Sequence, residues 1–321
     1  MPELLIVVAA LFAVTAGAND GSSILAAGLR VPGLRPIASI SILLGAIVVG
    51  PLFLFGTGVA TTLTHRLVPF SLSGSGETAL VAAALGSLCV IFVLNMVGLP
   101  SSLTLALIGA IAGAGFGSGL TVSRSTLLEI IALGLFAPLL AMVIAFAIAR
   151  FALGALEGSQ VTRRTRFLHV VAFALQCLAY SANGGQKMLA VSAIAVGAVS
   201  GSLIGNPWWL VVVVALLFGI GVLTGLRRIS ATLSQGVLAV HLRHALVAET
   251  SSFAVVMSAS LVGVPLTMSQ SVAGALVGVG VSESRHRIRW SEVTRILGAW
   301  LITLPASMIV AAVFAAVLRW R

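Results

Sequence analysis

Charge is what this sequence has least of. Only 8% of its 321 residues are charged, with one aspartate, Asp20, one lysine, Lys187, and two cysteines. So little polar surface could not cover a soluble domain of this size, which excludes that class. Cys89 and Cys177 lie within apolar runs and read as small buried hydrophobes, not as a disulfide or a metal pair. The five histidines, His65, His169, His241, His244 and His286, lie in or near loops and show no His-Glu-x-x-His spacing. No Gly-Lys-Ser/Thr follows a glycine-rich strand end, so a nucleotide-driven pump would need a separate subunit. Asp20 has no acidic or histidine partner within the apolar segments, which argues against an intramembrane enzyme and against a bound cofactor.

What remains is apolar. Hydrophobic residues make up 59% of the chain and mean hydropathy is +1.17. Runs of about 20 apolar residues, the length that spans a bilayer, recur throughout. Segments 4–14, 37–54, 79–97 and 210–223 are apolar on both faces, unlike the strict alternation of a membrane barrel. The expected fold is an all-α polytopic membrane protein. The N-terminal stretch lacks a basic leader region and reads as a retained span rather than a signal peptide. The net charge of +10 sits on arginines in short loops, a membrane-topology pattern, so no nucleic-acid partner is expected.

The chain also repeats itself. ANDGSSILA, Ala18–Ala26, matches ANGGQKMLA, Ala182–Ala190, at five of nine positions, 164 residues apart. VGLPSSLTLALIGAIAGAG, Val97–Gly115, matches VGVPLTMSQSVAGALVGVG, Val262–Gly280, at seven of nineteen, 165 residues apart. Two matches at nearly the same offset make a tandem duplication: a first repeat over 1–156, a central cytoplasmic loop over 157–166 and a second repeat over 167–321. Each half is expected to hold five spans, over 3–29, 37–63, 78–98, 101–119 and 126–149, then 167–202, 207–225, 244–262, 266–282 and 294–318. Thr126 with Glu129, and Ser291 with Glu292, offer cap chemistry for the last span of each half. An odd count inverts the second half relative to the first. Loop charge agrees, because thirteen arginines fall on one side and four on the other, which puts both termini outside the cell. Re-entrant segments at Pro100 and Pro265 would change the count.

The paired Ala-Asn-Asp and Gly-x-Pro elements resemble those of the inorganic phosphate transporter family over nearly the whole chain. The resemblance implies an importer of inorganic phosphate in the cytoplasmic membrane, driven by Na+ or H+ symport, and a homodimer. This chain departs from the family pattern at Leu105 and Gln270, where histidines are usual, and at Gly184, where the second aspartate is usual.

The residues support an anion site without the name. Asn, Asp and Gly interrupt a membrane helix, and freed backbone groups persist there only if they line a cavity or bind something. Interruptions at matching positions of two inverted halves point to a transporter's site near the bilayer midplane. An aspartate at that depth costs about 3 kcal/mol, so its default reading is functional. Half-helix N-termini near Gly21–Ser23 and Gly184–Gln186 would aim N–H donors inward. The candidate substrate residues are Asn19, Asp20, Gly21, Ser22, Ser23, Ser101, Ser102, Thr104, Asn183, Gly184, Gly185, Gln186, Lys187, Thr267, Ser269 and Gln270, with Asp20 also a candidate ligand of a coupling Na+. Serine and threonine can instead bond back to helix carbonyls, and Lys187 can snorkel to the interface. Glu249 reads as an interfacial cap or a proton relay. Gly109-x3-Gly113 and Gly274-x3-Gly278 read as close helix packing, and Gly113–Gly119 only superficially resembles a phosphate loop. Sulfate transport, or a passive anion channel, are the alternative functions.

Overall fold

The computed structural model describes residues 2–29, 34–54, 57–70, 74–99, 101–152, 163–200, 207–233 and 242–319. Every regular element among them is helical. Among the described residues seven helices build the first half, the first six being α1 (Pro2–Ala16), α2 (Ser22–Gly28), α3 (Pro36–Val49), α4 (Gly58–Thr61), α5 (Ser75–Met96) and α6 (Leu103–Ser118). They are followed by α7 (Arg124–Ala152), which closes that half. The second holds α8 (Arg163–Tyr180), α9 (Gln186–Ser200), α10 (Trp208–Leu233), α11 (Leu242–Leu261), α12 (Met268–Glu283) and α13 (Trp290–Arg319).

The interruptions expected at the two Ala-Asn motifs are present, but as π-helical turns over Gly17–Gly21 and Ser181–Gly185. The chain bulges there without unwinding: the Ser22 N–H closes onto the Gly17 carbonyl, five residues back. Such π-turns are common at functional sites. The donors foreseen at Gly21–Ser23 therefore enter the helix ladder. The free helix starts lie elsewhere, at α6 and α12, each opened by an extended residue, Ser102 or Thr267.

Other expectations shift as well. The span over 37–63 is divided: α3 runs into a π-turn over Gly50–Leu54, and α4 runs into another over Thr62–Leu67. The cap of α7 is Ser123, whose hydroxyl accepts from the Thr126 N–H at 3.3 Å, and Ser291 lies inside α13. Glu129 and Glu292 instead pair with Arg66 and Arg295, each at 3.3 Å. Cys89 is exposed on α5, where the sequence suggested burial, whereas Cys177 is buried. Residues 157–162 of the central loop, Arg30, Pro100 and residues 234–241 lie outside the described residues.

Small residues decide how the halves interlock. A Cβ placed on Gly109 would stand 2.3 Å from the Leu304 carbonyl oxygen, and one on Gly113 would stand 1.9 Å from that of Met308. Their counterparts Gly274 and Gly278 press equally close on Pro138 and Met142. Only hydrogen fits, so backbones approach to distances that larger residues forbid. Thus α6 packs on α13 of the other half, and α12 on α7. The glycine-rich run is packing, as its spacing suggests. Gly221 and Gly225 of α10 bring that helix against Val14 and Ala18 in the same way.

Seven helical stretches among the described residues are long and apolar enough to cross a bilayer; α6, at sixteen residues, is shorter, and α11 and α12 are not among them. The inversion does not depend on the difference. Gly109, Gly113 and Gly117 meet Leu304, Met308 and Ala312 in ascending order, so α6 runs parallel to α13. Gly86 meets Ala311 while Gly98 meets Arg295, so α5 runs against it. The α5–α6 hairpin returns the chain to the side it left, whether it crosses twice or turns back inside. Removing such a pair from five spans leaves three, and the count stays odd.

Candidate functional site

The two Gly-x-Pro connections meet where α6 and α12 begin. Ser102 Oγ lies 3.1 Å from Thr267 Oγ1, and these residues are counterparts at the repeat offset of 165. Equivalent atoms in contact mark the pseudo-two-fold axis, which for inverted repeats lies in the membrane plane. Both hydroxyls are buried, and Ser102 also accepts from the Leu105 N–H at 3.3 Å. The Ala106 N–H, bonded to the Ser102 carbonyl at 3.0 Å, is the first to join the α6 ladder, and the Ser271 N–H does the same in α12 at 3.3 Å. The positive ends of two helices thus converge on the axis.

Each connection is gripped by the asparagine of a π-turn. Asn183, 1% exposed, donates to the Val264 carbonyl at 2.9 Å and to Ser260 Oγ at 3.0 Å, and accepts from the Leu266 N–H at 2.9 Å. Asn19 does the matching work less tightly. It accepts from Ser101 Oγ at 3.3 Å, donates to the Ser101 carbonyl at 3.4 Å, and donates to Asp20 Oδ1 at 2.9 Å. The single Ser101 hydroxyl hydrogen is shared with Asn95 Oδ1, also 3.3 Å away, and Asn95 is the counterpart of Ser260.

Lys187 is buried, 5% exposed, and does not snorkel. Its ammonium donates to Thr104 Oγ1 at 2.7 Å and to the Leu266 carbonyl at 2.6 Å, which leaves one N–H for another acceptor. Asp20, 6% exposed, is the acidic group that acts on it. Among the described residues the Ser269 hydroxyl, the counterpart of Thr104, is buried with no partner. So is the Tyr180 hydroxyl, within electrostatic reach of Asp20.

The structure therefore brings Asn19, Asp20, Ser101, Ser102, Thr104, Asn183, Lys187, Thr267 and Ser269 to one junction. Buried Gln270 lies two residues into α12. The remaining candidates are engaged in local bonds or packing. Gln186 accepts from the Val59 and Ala60 N–H groups at 2.9 and 3.4 Å, and so fastens α4. Ser22 bonds back to Ala18 at 2.5 Å and packs beside Gly225; Ser23 bonds back to Asp20 at 2.6 Å. Gly21 is pressed by Phe218 and Val222, Gly184 lies under the Tyr180 ring, and Gly185 stands near Ser181 and Ile47. Glu249 is not an interfacial cap: it is 2% exposed and lies 3.0 Å from Nδ1 of fully buried His169. His169 Nε2 donates to the Leu242 carbonyl at 2.8 Å from within α8, and buried His244, in the first turn of α11, faces Glu283. Tyr180 escaped the sequence reading, although as the only tyrosine of the chain it carried the same signal of rarity as Asp20 and Lys187.

Two interlaced, inverted helical repeats whose Gly-x-Pro connections meet at buried helix starts, each held by the asparagine of a π-turn, define a membrane transporter. The sequence profile of the phosphate transporter family matches residues 17–157 and again residues 152–311, and the chain belongs to that family. A Bacillus subtilis protein named "probable low-affinity inorganic phosphate transporter" is 26% identical over 319 residues, spanning 97% of this chain and 95% of that one. A Mycobacterium tuberculosis (strain H37Rv) protein of the same name is 29% identical over 96% of this chain and 76% of its own. A solved structure titled "The sodium-dependent phosphate transporter" superposes with a TM-score of 0.82 at 16% identity, covering 99% of both chains, and so shares the fold.

Proposed function

We propose that this protein imports inorganic phosphate across the cytoplasmic membrane by symport with a cation, holding the anion at the junction of α6 and α12. One observation carries the reading: the only aspartate and the only lysine of the chain converge, buried, where two helix starts meet. A spare ammonium N–H, the unpartnered Ser269 hydroxyl and two positive helix ends suit an oxyanion. Asp20 suits a protonated phosphate oxygen, from which a carboxylate accepts, or a coupling cation. Import of a dianion into a negative-inside cell opposes about 2.3 kcal/mol per charge per 100 mV, which a co-transported cation offsets. The relatives' names support the substrate, and the sodium-dependent neighbour favours Na+ over H+.

Sulfate is the second reading, favoured by the missing carboxylate at Gly184. Sulfate has no OH to donate, so each carboxylate at the site rejects it, and this chain retains one. The test is uptake of labelled phosphate into proteoliposomes under separately imposed Na+ and H+ gradients. Accumulation above equilibrium, partly inhibited by excess sulfate, is expected. Mere equilibration would indicate a passive channel, and faster sulfate uptake would give the second reading the site.

A further inference from the structure

Three differences between the halves form one unit. Asp20, Ala16 and Ser23 have Gly184, Tyr180 and Lys187 as their counterparts at the repeat offset. A Cβ on Gly184 would stand 2.5 Å from the Tyr180 ring, so the ring occupies the room a side chain at 184 would need. The ring is fixed in turn against Phe218, with centroids 5.6 Å apart. Beside it the Lys187 ammonium is seated on a hydroxyl, Thr104 Oγ1, and a main-chain carbonyl, that of Leu266. Carbonyls of interrupted backbone are the groups with which transporters of this architecture coordinate coupling cations.

The counterpart oxygens in the first half are the Ser269 hydroxyl and the Ser101 carbonyl. There no lysine is present: among the described residues the hydroxyl has no partner and the carbonyl receives only the long contact from Asn19, and the negative charge comes from Asp20. One half thus presents oxygens and a carboxylate. The other presents matching oxygens already bearing a cation, with the carboxylate removed and its space filled.

We infer that Lys187 is a tethered cation: its ammonium holds the second-half position that a mobile coupling cation would otherwise take, and only the first-half position beside Asp20 exchanges its ion during transport. The inference rests on the symport reading. It adds that one positive charge for the anion is permanent and that the chain binds no more than one Na+ per protomer.

The experiment measures binding of 22Na+ to the purified full-length protein without any anion, so its result does not depend on whether phosphate or sulfate is carried. The native chain should bind no more than one ion per protomer. Tyr180→Ala, Gly184→Asp and Lys187→Ser together, which transplant the first-half residues, should bind one more. Lys187→Ser alone covers the case in which the triple variant does not fold. Its anion uptake should fall about tenfold or more, because the permanent charge and the ammonium donor offered to the anion are gone, and should recover in high sodium or methylammonium. Two ions bound to the native chain, or a Lys187→Ser variant that neither cation rescues, would overturn the assignment.

Discussion

Truncating Asn183 to alanine removes three hydrogen bonds of 2.9–3.0 Å and leaves the Val264 carbonyl and the Leu266 N–H without a partner in a buried site. Polar contacts between membrane helices average about 0.6 kcal/mol each, so the three sum to roughly 2 kcal/mol, or about thirtyfold in an unfolding equilibrium. Asn19→Ala removes contacts of 3.3 and 3.4 Å to Ser101 from a half-buried residue, and the remaining bond, to Asp20, is between neighbours. It should cost under about 1 kcal/mol on the same scale. Unfolding of the solubilised protein by titrated SDS, followed by tryptophan fluorescence, reads the difference. Phosphate affinity should fall in both variants, because both asparagines position a helix start on the axis. Asn183→Asp should not recover stability, since it turns an oxygen toward the Val264 carbonyl where a donor stood. Equal losses in the two alanine variants, or a larger loss at Asn19, would refute the claim that the second-half connection is the more firmly held.

Three further outcomes are expected. Asp20→Asn should fold and insert normally while losing gradient-driven accumulation, because it keeps the shape and removes the charge; accumulation at the native level would remove Asp20 from the coupling step. Gly113→Val and Gly278→Val, whose Cβ atoms would stand 1.9 and 2.1 Å from main-chain oxygens, should abolish folded protein on size exclusion, whereas Gly45→Ala and Gly134→Ala, with nothing within 4 Å, should not. In a background lacking exposed Cys89, cysteines introduced at 164, 228 and 287 should react with impermeant maleimide from the cytoplasmic side only; labelling of position 164 from outside would reverse the orientation and remove the inverted-repeat argument.

The architecture was legible because bilayer insertion writes plainly in composition. Apolar length gives the helices, and a repeat offset shared by two motifs gives the duplication. Glycines at four-residue spacing give the close packing at Gly109, Gly113, Gly274 and Gly278. The site was legible in part, because a buried Asp20 or Lys187 is too costly to place without use. Backbone geometry was not. Asn-Asp-Gly reads as a break, yet a π-turn satisfies the same groups by slipping the ladder one residue, and nothing in residue type separates the two. Facing was also hidden: Gln186 and Ser22 belong to the motif, but a hundred-degree rotation per residue turns one toward α4 and the other toward α10. The burial of Glu249 escaped because its partner, His169, is eighty residues away and no local pattern links them.

In the proposed site, phosphate sits on the pseudo-two-fold axis between the starts of α6 and α12, within reach of Lys187 and Asp20. A structure of the protein determined with saturating phosphate tests it most directly. Anion density is expected at that junction, touching the Lys187 ammonium and the Ser269 hydroxyl, and should disappear in Lys187→Met. Density at the interrupted stretch of α3 and α4, or at the cytoplasmic arginines with the junction empty, would contradict it.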